Sequence, residues 1–288
     1  MSEQSARVPS AQTITSDTPR VAVLGGGVMG GTIITALRVA GWPGDKIVVA
    51  DRGEARAAAL QETHGIDATS EIATAVNGAD IVVIAVKPQQ VSEIMADVSD
   101  HLTDGAMVIT VAAALSSAYY EERLPEGTPV VRAMPNTPSI IARGVTGISP
   151  GANATEAHLD LVAGMLSATG MVVAIEESQM DALSSVSGSG PAYFYAMVEA
   201  LTEAGVMQGL DRELATALAA QTFIGAAHLL METGDAPQEL RRRVSSPKGI
   251  TIAALEAMQN AGLQGVIAAG ANAAVARSRE LGAELNQA

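Results

Sequence analysis

The stretch RVAVLGGGVMGGTIITALRVAGWPGDKIVVAD, residues 20–51, decides the fold of this chain. Residues 20–24 predict a buried strand, and a helical pattern of apolar residues runs from Val28 to Ala40. Residues 47–51 predict a second strand that ends in an acid. A strand, a glycine-rich turn, a helix and a second strand in this order are typical of the first βαβ unit of a parallel sheet.

The glycine-rich turn within this stretch predicts a phosphate site. The spacing Gly25-x-Gly27-x-x-Gly30, with Val28 and Met29 between the last two glycines, opens a helix whose N-terminal amides and dipole favour an anion. A purely structural turn is the alternative, but the correct order of strand, turn and helix favours dinucleotide binding. We therefore predict cofactor contacts from these five residues.

Segments of the same kind continue along the chain. Strands are predicted at 81–86, 107–111 and 129–134, and a helix at 52–63. Strands that alternate with helices imply right-handed crossovers. We expect an α/β fold with a Rossmann-like, doubly wound, mainly parallel sheet.

Beyond residue 180 no long β-rich run occurs, and the sequence predicts an all-α region. Its helices are predicted at 181–206, 212–233, 237–244 and 250–281. We therefore expect a disordered leader at 1–19, a Rossmann NAD(P)-binding domain at 20–178, and an all-helical domain at 179–288 for substrate binding and dimerisation.

The composition excludes several classes of function. The chain has no Cys, which excludes disulfides, thiolate metal sites and a Cys nucleophile, and none of its four His lies four residues from another. We therefore expect no metal site. The net charge of −14 opposes nucleic-acid binding, which needs clustered Lys and Arg. One Trp, four Tyr and two Phe leave the core to aliphatic side chains.

The distribution of apolar residues predicts a cytoplasmic protein. No run approaches the ~18 consecutive apolar residues of a membrane span. Residues 1–19 are rich in Ser, Thr, Gln and Pro and lack the apolar segment of a signal peptide. We therefore expect neither a membrane span nor secretion.

Asp51 and Arg52 end the second strand, where this fold reads the adenosine ribose of a dinucleotide. An acid there favours NAD, whereas an Arg accommodates the 2′-phosphate of NADP. Arg52 could stack on adenine and pair with that phosphate, or be a solvated residue. Asp51 could bond the ribose or cap the next helix. We expect NADP, with NADPH preferred and NADH as the alternative.

Two more segments lie at carboxyl ends of predicted strands, where open α/β sheets bind ligands. Ala85, Val86, Lys87 and Pro88 lie at the C-terminal edge of the third strand, and Asn136 follows the fifth strand between two prolines. We predict cofactor contacts from all five residues. The alternatives are a solvated loop lysine and an Asx turn.

A loop in the helical region places hydroxyl groups at the start of a helix. The sequence SSPKGIT, residues 245–251, offers free backbone N–H groups together with Ser and Thr hydroxyls. Such an arrangement can bind an anion. A plain N-cap is the alternative interpretation, and the local sequence alone favours it.

Five motifs in order resemble those of the pyrroline-5-carboxylate reductase family, and the resemblance covers residues 20–281. They are GGGVMG at 25–30, AVKPQ at 85–89, MPNTP at 134–138, GSGPAY at 188–193 and VSSPKGIT at 244–251. The last two are the most diagnostic of the five.

The resemblance implies a reaction and a site. A hydride would pass from NAD(P)H to the C=N bond of 1-pyrroline-5-carboxylate, giving L-proline. Thr251 would hydrogen-bond the ring nitrogen, and Ser246 with the amides around Gly249, Ile250 and Thr251 would hold the substrate carboxylate. Lys248 would bond that carboxylate or point outward. The resemblance also implies homodimers that assemble into a ring of dimers, a decamer.

Four positions depart from the pattern of the family. Lys248 and Ile250 stand where its members usually have Gly and Thr, and Ala114 replaces a common Gly. Ile72 stands where many members have an Asn near the adenosine ribose. The last departure leaves the preference for NADPH over NADH open.

Three other functions compete with this interpretation. A β-hydroxyacid dehydrogenase shares the two-domain plan but places a catalytic Lys after a Gly-x-Gly, whereas Pro191 follows Gly188-x-Gly190 here. Alcohol oxidation needs a base, and imine reduction does not, so the missing Lys favours a carbon–nitrogen substrate. A broader cyclic-imine reductase and a non-catalytic NAD(P)-sensing protein stay open as alternatives.

Overall fold

The computed structural model describes residues 18–286 of the chain. Contacts divide them into two units: one runs up to Gly188 and includes the residues from Ala274 onward, and the other is Ser189–Ala273. This division differs from the boundary predicted at 178/179 because the end of the last helix packs on the first unit. There the Ser278 hydroxyl donates to an Asp181 carboxylate oxygen over 2.7 Å, and Leu285 packs against a core cluster.

The first unit contains one sheet of eight strands in the order β3-β2-β1-β4-β5-β6-β7-β8. All neighbouring strands are parallel except β6 and β7, so the expected mainly parallel sheet is confirmed. The strands are β1 Val21–Leu24, β2 Ile47–Ala50, β3 Asp67–Thr69, β4 Ile81–Ile84, β5 Met107–Thr110, β6 Val130–Pro135, β7 Gly144–Pro150 and β8 Gly170–Ala174.

The α-helices of the described residues are α1 Val28–Val39, α2 Glu54–His64, α3 Ile72–Val76, α4 Val91–His101, α5 Ser117–Glu121, α6 Glu156–Leu166, α7 Met180–Leu183, α8 Gly190–Met207, α9 Arg212–Thr233, α10 Pro237–Arg243, α11 Ile250–Asn260 and α12 Leu263–Asn286. Short 3₁₀ helices lie at Gly44–Lys46, Pro88–Gln90, Thr137–Ile141, Ser167–Thr169 and Glu177–Gln179, and a π-helix lies at Ser184–Gly188.

Three strands were not predicted. β3 has only three residues, none of them buried, and therefore carries no apolar signal. β7 contains Gly144, Gly147 and Pro150, residue types that are depleted in strands. Both β7 and β8 lie in the sheet because they pair with each other and β7 pairs with β6, a long-range effect that local propensity does not contain.

Two predicted helices are interrupted. The segment predicted at 181–206 is divided into α7, the π-helix and α8, and Pro191 at the start of α8 favours a new helix there. The segment predicted at 250–281 is divided into α11, which ends at Asn260, and α12. Between them Gly262 has a φ of +86°. A positive φ ends a helix because only Gly adopts it without strain.

Aliphatic side chains fill both faces of the sheet. In β1, Val21 and Val23 belong to one core cluster, and Ala22 and Leu24 to the other. All four are fully buried, as expected for a parallel strand covered on both faces. The core is mainly aliphatic as expected, but Trp42 belongs to the first cluster, and Tyr119 and Tyr120 belong to the second.

Two residues of the predicted leader, Thr18 and Pro19, are part of the described fold. Residues 1–17 lie outside the described range. Thr18 is buried, and the carbonyl of Pro19 accepts a hydrogen bond of 2.9 Å from the indole of the buried Trp42. A buried indole N–H usually has a hydrogen-bond acceptor. This hydrogen bond to Pro19 holds the chain in place before β1.

The second unit exposes many apolar side chains. Within residues 18–286, one helix, α9, is long and apolar enough by length and composition to cross a membrane. The helix itself was predicted at 212–233, but its span-like composition was not, because its apolar residues do not form an unbroken run. Such a helix by itself is weak evidence for a membrane span, and only Ala215 and Ala219 of its residues are buried in the single chain.

Gly30→Ala is expected to destabilise the fold. A Cβ at this position would overlap the Gly25 carbonyl oxygen, which is backbone and cannot move away easily. We expect a loss of about 1–3 kcal/mol or more in the free energy of unfolding, measured by urea titration. The matched control is Gly31→Ala, whose Cβ would meet only the Leu60 Cδ2 atom at 3.6 Å. A higher helix propensity should raise its stability by up to about 1 kcal/mol, and equal losses in both variants would contradict the argument.

Candidate functional site

A cleft of about 700 Å³ lies where β1, β2 and β4 end. Ligands of open α/β sheets bind at this edge, near the central strand from which the chain winds in both directions. The residues that line the cleft are Gly25, Gly27, Ala50, Asp51, Arg52, Gly53, Arg56, Ser70, Glu71, Ile72, Ala85, Val86, Lys87, Gln90, Glu93, Ile94 and Asp97.

The glycine turn presents an open cradle to this cleft. Gly25 has a φ of +102°, and a Cβ there would lie 2.9 Å from the Ala85 carbonyl oxygen, so the fold itself requires glycine. Gly27 differs, because a Cβ at this position would meet nothing within 4 Å. Gly27 is the N-cap of α1 and supplies no side-chain cap. The space above it and the uncapped helix start fit a pyrophosphate group.

Two of the predicted turn residues do not line the cleft. The side chain of Val28 is exposed, and Met29 packs against a core cluster. Any contact that these residues make with a cofactor would therefore come from their backbone amides at the start of α1.

The Asp51 carboxylate braces the turn. One oxygen accepts from the Gly26 amide and the other from the Gly53 amide, each over 2.7 Å. The Arg56 Nε lies 3.5 Å from the carboxylate, whose side chain is only 9% exposed. Asp51 does not cap α2, whose N-cap is Gly53, without a side-chain cap; its carboxylate binds the amides of two loops instead. A bond from Asp51 to a ribose stays a prediction.

Arg52 lies on the same side of the cleft. Its Nη1 is 3.6 Å from a carboxylate oxygen of Glu93 on α4, and both side chains are largely exposed. Ile72 also lines the cleft, at the position where the resemblance leads one to expect Asn. Arg52 is therefore placed to cover a bound base, held by a weak surface ion pair.

The segment after β4 forms the opposite wall. Ala85, Val86 and Lys87 line the cleft, and Lys87 is exposed. Pro88 begins a 3₁₀ helix directly behind them and does not line the cleft. The structure thus brings three of the four residues predicted here to the cleft.

Asn136 is placed away from the cleft. It is 8% exposed, its amide nitrogen donates to the Ser187 carbonyl over 3.0 Å, and its amide oxygen accepts from the Val145 amide over 2.9 Å. The side chain therefore joins β6, β7 and the π-helix. Its direct contact with a cofactor stays a prediction, and the geometry favours the structural alternative.

The loop at 245–251 lies in the second unit and opens α11. Gly249 is the N-cap of α11 and gives no side-chain cap. Within residues 18–286, neither the Ser246 nor the Thr251 hydroxyl has a hydrogen-bond partner, and Ile250 is 92% exposed. Lys248 adopts a φ of +59°, which an L-residue adopts with strain and which suits the Gly expected there. Open amides and free hydroxyls at a helix start fit a carboxylate.

The basic run before this loop is used in ion pairs. Arg242 and Arg243 bind Glu239, and Arg243 also lies 2.6 Å from Asp235. These hydrogen bonds lower the pKa of Glu239 from its ordinary value to about 2. The run ends α10, where positive charge complements the helix dipole, and the pairs leave little charge on Arg242 and Arg243 to attract a substrate.

Arg56 is the main residue of the cleft that the sequence analysis missed. It lies four residues beyond Arg52, and this i, i+4 spacing on the helix predicted at 52–63 was the available signal. Ser70, Glu71, Gln90 and Asp97 come from segments whose position in the cleft depends on the folded sheet. Within the described residues, no group of three His, Cys, Asp or Glu side chains could hold a metal ion.

Comparison with known families gives two matches. The family described as "Pyrroline-5-carboxylate reductase dimerisation" matches residues 177–281. The family described as "NADP oxidoreductase coenzyme F420-dependent" matches residues 20–114. The two matches divide between the sheet that contains the cleft and the helical region that contains the loop.

Individual proteins and structures agree with these matches. The pyrroline-5-carboxylate reductase of Pseudomonas aeruginosa is 38% identical over 94% of this chain and 99% of that protein. That of Mycobacterium leprae is 41% identical over 92% of this chain and 98% of that protein. The solved structure of the enzyme of this name from Coxiella burnetii has a TM-score of 0.87 and 32% identity, covering 92% of this chain and 99% of that one.

Gly27→Ala is expected to weaken dinucleotide binding without destabilising the protein. The added methyl group has room in the free protein but occupies the cradle over the uncapped amides. We expect the Kd for NADPH to rise about tenfold or more, since hydrogen bonds to charged groups contribute ~1.5–3 kcal/mol each. Fluorescence titration measures the Kd, and thermal unfolding should be unchanged. Unaltered affinity would show that the pyrophosphate lies elsewhere.

Proposed function

Because the chain belongs to the pyrroline-5-carboxylate reductase family, we propose that it reduces the C=N bond of 1-pyrroline-5-carboxylate to L-proline. The observation that carries the proposal is the near full-length similarity, which includes both the cleft and the loop at 245–251. NADPH supplies the hydride when it is bound. The enzyme is an NAD(P)H-dependent oxidoreductase of proline biosynthesis.

The residues of the cleft fit this cofactor. The open space over Gly27 suits the pyrophosphate, and Arg52, Arg56 and Lys87 provide positive charge around it. NADPH carries an additional 2′-phosphate on its adenosine ribose, whereas NADH does not. Positive charge at this end of the cleft therefore supports NADPH over NADH.

The loop at 245–251 is proposed to hold the substrate. Ser246 and the amides from Gly249 to Thr251 would bind the carboxylate, and the Thr251 hydroxyl would hydrogen-bond the ring nitrogen. Lys248 would be a further contact to the carboxylate. A protonated imine is already electrophilic, so these groups have to orient the ring and need not act as a strong acid.

The helical region belongs to a dimerisation family, and the chain forms oligomers through it. A homodimer, and a ring of dimers forming a decamer, are the finer proposal. The exposed apolar side chains of α9, among them Leu214, Leu218 and Ile224, support it, since monomeric proteins rarely expose large contiguous apolar patches. Dimerisation would explain the apolar character of α9 without a membrane, and we propose a cytoplasmic enzyme on this basis.

The direct test is an assay with synthetic 1-pyrroline-5-carboxylate and either NADPH or NADH, in which the loss of absorbance of the reduced cofactor is followed. Oxidation of the cofactor with formation of proline supports the proposal. No oxidation with either cofactor would reject it. Turnover of larger cyclic imines alone would identify a broader imine reductase, and cofactor binding without turnover of any imine would identify a sensing protein.

Thr251→Ala is expected to lower kcat/KM. The corresponding loss of transition-state stabilisation is about 1–3 kcal/mol, the cost of losing a buried hydrogen bond to the substrate. Thr251→Ser keeps the hydroxyl and should retain most of the activity. The Kd for NADPH should be unchanged in both variants, since Thr251 does not line the cleft. Equal kinetics of Thr251→Ala and the wild type would refute the assigned role.

Leu218→Glu is expected to dissociate the oligomer. Leu218 lies on α9 within the matched dimerisation region and is 50% exposed in the single chain. A carboxylate buried there on association would cost several kcal/mol. Light scattering gives the mass, and Val39→Glu is the control because Val39 is equally apolar, 73% exposed and outside that region. A monomeric wild type at micromolar concentration would refute oligomerisation itself.

A further inference from the structure

The adenosine end of the cleft contains two arginines whose surroundings differ. Arg52 precedes α2, Arg56 lies in its first turn, and both line the cleft. Arg52 is directed to Glu93 on α4, with 3.6 Å between Nη1 and the carboxylate oxygen. Arg56 is directed to Asp51 at the end of β2, with 3.5 Å between Nε and the carboxylate oxygen.

Asp51 has less capacity left for a ribose hydroxyl than an acid at this position usually has. An acid at the end of β2 reads the ribose 2′-hydroxyl of NAD. Here its two oxygens accept the Gly26 and Gly53 amides, and the Arg56 guanidinium lies against it. A ribose bound at the end of β2 would therefore have its 2′-oxygen near the Arg56 guanidinium, which lies beside the Asp51 carboxylate.

Gly53 allows Arg56 to lie at this point. A Cβ at position 53 would be 2.8 Å from Arg56 Nη2 and 3.1 Å from an Asp51 carboxylate oxygen. The guanidinium thus rests directly on the Gly53 backbone. With Nε facing Asp51, the remaining N–H groups of the planar fork stay available, and such a fork matches the oxygens of a phosphate.

The other cations of the cleft are placed less well for this role. Lys87 follows β4, and the strand order β3-β2-β1-β4 puts it on the other side of the glycine turn from β2. Arg52 extends toward α4, where its planar guanidinium can cover the face of an adenine.

We infer that Arg56 is the residue that selects NADPH over NADH by binding the 2′-phosphate, that Asp51 is a positioning residue for it, and that Arg52 contacts the adenine of either cofactor. The inference rests on the proposed function only in taking a nicotinamide dinucleotide as the occupant of the cleft. The sequence analysis gave Arg52 two possible contacts, one with the adenine and one with the 2′-phosphate. The inference assigns the first to Arg52 and the second to Arg56.

The test measures the Kd for NADPH and for NADH by fluorescence titration of the full-length protein, without any imine substrate. Arg56→Gln should raise the Kd for NADPH about 10- to 100-fold and leave the Kd for NADH within about twofold, because only the phosphate loses its partner. Arg52→Gln is the matched control and should weaken both cofactors by similar factors. Arg56→Lys, which keeps the charge without the fork, should give an intermediate loss.

Gly53→Ala provides an independent check that leaves both arginines present. Its Cβ should displace the Arg56 guanidinium and lower the preference for NADPH in the same direction, by a smaller factor. Adenosine 2′,5′-bisphosphate and adenosine 5′-monophosphate, titrated by calorimetry, should repeat the pattern without a nicotinamide. Thermal unfolding of each variant shows whether it is folded.

Selectivity that is lost in Arg52→Gln and kept in Arg56→Gln would overturn the inference, and so would equal loss in both. These outcomes are distinct from failure of the proposed function. If the chain reduced no imine, the ratio of the two dissociation constants would still respond to Arg56 as described.

Discussion

The contact between the start of α1 and the turn after β1 is the constraint on which the rest of the structure depends. The turn brings the Gly25 carbonyl so close to Gly30 that no side chain fits between them. This approach lets α1 lie against the central strands and directs its uncapped N-terminus into the cleft. The same short distance thus contributes to the core and to the site.

Electrostatics in the cleft are local. The chain has a net charge of −14, and Asp51, Glu71, Glu93 and Asp97 all line the cleft, so the average field does not attract an anionic cofactor. The positive groups are backbone amides, the dipole of α1 and three side chains. The negative charge of Asp51 is compensated by hydrogen bonds from two amides and by the Arg56 guanidinium. An acid at the end of β2 is therefore compatible with the proposed binding of a phosphorylated ribose.

The absence of Cys and the small number of His agree with a reaction in which the protein orients its reactants and the cofactor supplies the hydride. The loop at 245–251, which we propose to bind the substrate carboxylate, offers amides and hydroxyls, and these groups can hold an anion without titrating. In the single chain most of this loop and many apolar side chains of α9 are exposed. The proposed dimer would cover the apolar side chains of α9.

The sequence by itself determined the strands of the parallel core, the glycine turn, the helical character of the second half and the loop that opens α11. Each of these depends on neighbouring residues: a run of β-branched side chains, a glycine spacing, a helical period, a helix start. Only the tertiary structure decided the pairing of β7 and β8, the return of α12 to the first unit, and the use of Asn136 and Asp51. These features depend on partners far along the chain, such as Ser187 for Asn136 and Gly26 for Asp51. Side-chain roles at a sheet edge are set by what the fold brings beside them, and no local pattern contains that information.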